Sequence, residues 1–260
     1  MSNEITHYFD DALNFLIKKK SDFAKNKVLT QAREVSFETF KQTGLPRATD
    51  EYWRFMSPET FISLSDKKNT ASFQSSSEPQ IREGWRNIFF VDGVLDRQAS
   101  DLTSGDDLEI CDLQQEDLSQ LTWVEDLYGK LEEKSQKKRP NGFAAYNTAG
   151  ASEGVLVRIK AGKECKLHIH YEMTTRLSDS LIHNLIKLDP GAKLTLIENG
   201  ACGFRTNCLM EIDILSEARL DHIRFFEDCS QSHILTSVFV QQAYKSVYKE
   251  FSLAFKNPFF

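Results

Sequence analysis

Apolar residues recur at helical spacing from the start of the chain. In "EITHYFDDALNFLIKKK", Ile5, Phe9, Ala12, Leu13 and Leu16 fall on one helix face, and Lys18–Lys20 place positive charge where a helix C-terminus carries partial negative charge. A second helix is predicted through "AREVSFETFKQTG", with Phe40 on its buried side. Gly44 stands where a C-cap glycine belongs, and Pro46 cannot continue a helix. The next stretch, "GLPRATDEYWRFMSP" (44–58), reads as an extended anchor. Its Trp53 and Phe55 alternate inward, with Trp53 largely buried, while Glu51 and Arg54 face water. Residues 63–80 are polar and serine-rich, the composition of a flexible loop. "NIFFVDGVLD" (87–96) predicts a hairpin turning at Asp92-Gly93. Helical period then returns from Leu118 through Leu121, Val124, Tyr128 and Leu131, ending in "KSQKKRP". Residues 1–140 therefore read as an N-terminal helical or mixed domain.

The pattern changes after Pro140. Short alternating segments follow, among them "GVLVRIKAG", "KLHIHYEM", "LIKLDPGAKLTLIEN" and "SVFVQQAYKSVYKEFSLAF". "LDPGAKL" (188–194), "ILSEARL" (214–220) and "VQQAYKS" (240–246) begin 26 residues apart, and "IKAGKEC" (159–165) begins 29 residues before the first. A strand–turn–strand unit of that length cannot bury its inner face alone, and stacked neighbours complete the core. Residues 141–260 are thus expected to form a β-helix core. A jelly-roll or cupin barrel also uses short strands, and the repeat decides against it.

Composition narrows the partners. The chain has 260 residues, 40% hydrophobic and 27% charged, with a formal charge of −6. Residues 1–140 hold 19 Lys/Arg against 25 Asp/Glu, and residues 141–260 hold 13 against 13, a balance that argues against nucleic acid. The N-terminus lacks the basic and apolar regions of a signal peptide, and no apolar run approaches the ~20 residues of a membrane span. Five cysteines (111, 165, 202, 208, 229) without a CxxC pair fit a reducing, cytoplasmic compartment.

Three segments in order resemble one family. "GLPRATDEYWRFMSP", "IFFVDGVLDRQASDL" (88–102) and "FAAYNTAGASEGVLVRIKAG" (143–162) are similar to segments of the SufB/SufD family of iron–sulfur cluster assembly proteins, SufD-like members above all. The resemblance implies an N-terminal helical region followed by a right-handed parallel β-helix. It also implies a non-catalytic scaffold role in a SufBCD-type complex with SufB-like and SufC-like subunits. Family members run longer, with further coils and a C-terminal helical segment that contacts the SufC ATPase. The chain is accordingly expected to be an N-terminal portion, incomplete at its C-terminus. The family's implicated Cys, His and Glu side chains lie in later coils, so no site residue carries over. An iron–sulfur cluster or flavin is expected only within the complex, and no cofactor in the isolated chain. Without its last coils capped, the chain is expected to self-associate through the β edge at "SVYKEFSLAF".

The candidate chemistry is sparse. In "HIHYE", His168, His170 and Glu172 share one strand face, a metal-ligand geometry, and Gly162 precedes His168 as in the first cupin motif. The cupin glutamate is missing, since Thr174 and Thr175 occupy its place, and no second motif follows. A metal-dependent cupin-like enzyme using His168 and His170 is the alternative function. Cys202 and Cys208 are spaced more loosely than cluster ligands usually are, and Cys208 reads as a small buried hydrophobe. His183, His222 and His233 are scattered. No G-x-S-x-G, P-loop or G-x-G-x-x-G occurs, so ATP hydrolysis is expected only of a partner.

Overall fold

A computed structural model of the chain describes residues 2–23, 27–47, 50, 53, 58–61, 81–115, 117–174, 179–200, 203–226 and 232–254. The amphipathic start forms α1 (Ser2–Phe23) and α2 (Lys27–Thr43). Leu16 and Phe40 are buried between them and α5 (Gly142–Gly150). Gly44 ends α2 in the left-handed region, at φ +70°, and its N–H donates to the Phe40 carbonyl at 2.8 Å.

The stretch after Gly44 turns where an extended anchor was expected. Asp50 donates its N–H to Arg47 O and Trp53 donates to Asp50 O, each at 2.9 Å, while the Asp50 carboxylate accepts from Arg47 N–H at 2.8 Å. The cause is local: an aspartate side chain closing on the backbone three residues earlier competes with extension. Trp53 is half-buried rather than largely buried, with its ring 5.3 Å from Phe143 and 5.7 Å from Phe61 of the 3-10 turn Pro58–Phe61. Glu51, Arg54, Phe55 and the loop 63–80 lie outside the described residues.

The rest is mainly β. From β4 (Val155–Ile159) through β5 (Glu164–Glu172), β6 (Asp179–Leu188), β7 (Lys193–Gly200), β8 (Arg205–Ile214), β9 (Arg219–Phe226), β10 (His233–Gln242) and β11 (Val247–Ala254), successive strands alternate between two sheets. Every pairing among these strands is parallel, giving a β-solenoid of about 3 turns. Among the described residues, the parallel coils form no closed antiparallel barrel around His168 and His170, the architecture that a cupin-like enzyme needs.

Glu164, Lys193, Arg219 and Val247 stand in register, in steps of 29, 26 and 28 residues. The last step corrects the 26 read from "VQQAYKS". Ser246, whose N–H donates to Ala243 O, takes the place that Ala218 holds one coil earlier. Each coil turns through a left-handed residue in the same position: Gly162 and Gly191 (φ +68° and +70°), then Glu217 and Lys245 (+62° and +55°). Glycine suits this turn without cost, and the later coils adopt it with ordinary side chains.

The division at residue 140 does not follow the sheets. β1 (Arg86–Val91) pairs parallel to β5, β2 (Val94–Leu95) returns antiparallel through Asp92-Gly93, and β3 (Leu108–Asp112) pairs antiparallel to β4. Phe90, Leu95, Leu108 and Ile110 thereby close the first end of the solenoid core. Conversely α5, which follows Pro140, belongs to the helical layer. That layer, completed by α3 (Thr122–Leu127) and α4 (Lys130–Gln136), covers the outer face of the second sheet. Leu156 and Leu185 point outward there and pack with Leu29, Trp123, Val124, Tyr128 and Leu131. Covered on both faces, those strands read as near-continuous apolar runs. Among the described residues, no helix is long and apolar enough to cross a membrane.

Candidate functional site

Strand alternation decides what enters the solenoid. In the first sheet, Leu167 faces Leu196, which faces His222, which faces Glu250; beside this column, Ile169 faces Glu198, then Arg224, then Ser252. The interior is therefore apolar in the early coils and polar in the late ones. The polar groups form one hydrogen-bonded chain. Tyr171 donates its hydroxyl to Glu198 Oε1 at 2.7 Å and accepts from Asn184 Nδ2 at 3.3 Å, with Cys208 Sγ at 3.6 Å. His222 donates from Nε2 to the other Glu198 oxygen at 2.6 Å, and its Nδ1 faces the Tyr248 hydroxyl at 3.2 Å. Tyr248 lies 3.3 Å from Glu250, which Arg224 pairs, and Arg224 also reaches Thr236 of the opposite sheet at 3.1 Å.

Electrostatics fix the resting state of this chain. Burial pushes the Glu198 carboxyl up, but the hydrogen bonds from His222 and Tyr171 and the nearby Arg224 outweigh it, leaving the group below its ordinary value and ionised. Burial, then Cys208 and Glu198, hold the Tyr171 phenol well above its ordinary value, so it stays a donor. Such a row can hold and pass a proton between the enclosed Tyr171–Cys208 end and the exposed last coil.

The β10–β11 coil holds the last of the described strands. Among the described residues, β10 and β11 are hydrogen-bonded to a strand on one side only. Polar residues turn inward here, so apolar ones turn outward. The Phe225 and Phe251 rings lie 6.4 Å apart on the outer face, and Phe251 is 55% exposed. Tyr244, in the turn before β11, is 72% exposed.

A second buried His–Glu pair lies outside the solenoid, under the helical layer. His183 Nε2 is 3.0 Å from Glu211, whose carboxylate also accepts the N–H groups of Gly129 (2.5 Å), Leu131 (2.7 Å) and Glu132 (3.0 Å). These are the orphan amides of the α4 N-terminus, so one carboxylate docks the helix onto β8. Burial lowers the His183 pKa against the opposing pull of Glu211, and Tyr128 stacks on the ring at 4.3 Å. Next to it, burial pushes the Glu132 carboxyl up to about 7, despite hydrogen bonds from Gln136 and Ser36.

The residues singled out by sequence separate. His168 and His170 do share the outer face of β5, with rings 6.0 Å apart. Their nitrogens are engaged by asparagines. His168 Nδ1 is 3.1 Å from Asn87 Oδ1, and Asn87 is oriented by donating to the carbonyls of Arg82 and Trp85. Burial lowers the His168 pKa, so its neutral ring donates there. The Asn199 amide, 2.7 Å from Nε2, must then turn its NH2 toward the ring, and the same group reaches His170 Nδ1 at 3.2 Å. Glu172, half-buried, ends the strand beside Asp92. Among the described residues, no group of three or more His, Cys, Asp or Glu is placed to hold a metal ion. Cys208 is buried in the core, whereas Cys202 lies outside the described residues. Burial pushes the Cys111 and Cys165 thiols up to about 12, far from the reactive thiolate range.

Sequence reasoning passed over Glu198, His222, His183 and Glu211. The available signal was the parity of each strand counted from its coil turn, which puts His222 and Arg224 on the same side as Leu220. No protein-family model and no curated protein matches the chain.

Proposed function

We propose that the chain is a scaffold subunit of a SufBCD-type iron–sulfur cluster assembly complex, SufD-like, without catalysis of its own. One observation carries the reading: the three segments of resemblance all fall at joints of the frame, in the order that a helical region followed by a parallel β-helix requires. Gly44, at the head of "GLPRATDEYWRFMSP", closes α2, "IFFVDGVLDRQASDL" makes the hairpin that starts the sheets, and "FAAYNTAGASEGVLVRIKAG" supplies α5 and β4. Asn147 of the third segment is fully buried and ties α5 to two coils, donating to Ile182 O at 3.1 Å and Asn207 O at 2.8 Å. A resemblance concentrated in frame residues is what a scaffold would keep.

In this reading the SufB-like subunit docks at the β10–β11 coil, beside the outward aromatic pair Phe225 and Phe251. Without that subunit the same aromatic face drives self-association. ATP hydrolysis belongs to a SufC-like subunit, and any cluster or flavin is held only in the complex, in the cytoplasm. Size-exclusion chromatography with light scattering tests this, with the chain mixed with SufB-like and SufC-like proteins. A complex with the SufB-like protein is expected, with ATP turnover only when the SufC-like protein is added. No complex with the SufB-like protein, or ATP turnover by the chain alone, overturns the reading.

A further inference from the structure

We draw no further inference here: the strongest candidate, the groove beside β10 that Pro46, Trp53, Pro140, Leu235 and Phe239 line, carries none because nothing in the structure shows what covers it.

Discussion

Two buried pairs, His183–Glu211 and His222–Glu198, use the same side chains for different ends. Glu211 is satisfied by one imidazole and three backbone amides, and backbone amides neither titrate nor swing away. Glu198 is satisfied by side chains alone, Tyr171 and His222, and through His222 it continues to Tyr248 and the exposed last coil. The first arrangement is a staple between the helical layer and the sheet. The second is a row whose members can change protonation or partner. Burying a carboxylate therefore does not define a site; what supplies its donors does.

The largest effect should come from cutting the staple. Glu211→Ala orphans His183 and the α4 amides and should cost roughly 3–5 kcal/mol in urea unfolding, with α4 losing hydrogen-exchange protection. A cost below that of Glu198→Ala would reverse the comparison.

A pH effect of similar size is expected from Glu132. Its folded value of about 7 lies above the ordinary 4.5, so between these values the folded state holds the extra proton. Stability should fall as pH rises through that window and level off above it, by on the order of 3 kcal/mol. Glu132→Gln should abolish that slope. Glu198 works in the opposite sense. Its folded value is depressed, so its contribution is present above the ordinary carboxylate value and lost as pH falls through the folded one. An acid limb unchanged in Glu198→Gln would contradict the donor set assigned to it.

Smaller again, Glu198→Ala should cost roughly 1–3 kcal/mol by stranding Tyr171 and His222. Glu198→Leu combined with His222→Leu should recover much of that, because a satisfied polar pair and an apolar replacement of similar volume are close in stability. Tyr248→Phe, on the largely exposed β11 where water can substitute, should cost about 0.5–1.5 kcal/mol at most.

Local signals made much of the fold legible. The apolar stripe of α1, the Gly44 stop and the Asp92-Gly93 turn each act within a few residues, and the coil period shows because turn residues recur. Trp53 misled because its alternation with Phe55 imitates a strand, while the Asp50 side chain that turns the chain leaves no periodic trace. The last repeat was misplaced by two residues because Ala243 chances to match Ala218, although Ser246 is its counterpart. Neither buried pair was legible. His222 meets Glu198 only across neighbouring coils, and β9, "RLDHIRFF", looks amphipathic the wrong way round, with Ile223 and Phe225 outward and His222 and Arg224 inward.

Hydrogen–deuterium exchange of the chain, alone and saturated with a SufB-like subunit, tests the scaffold role most directly. The account predicts new protection concentrated in β10 and β11, with α1–α5 unchanged. Protection confined to the helical layer, or no change anywhere at saturating subunit, would contradict it.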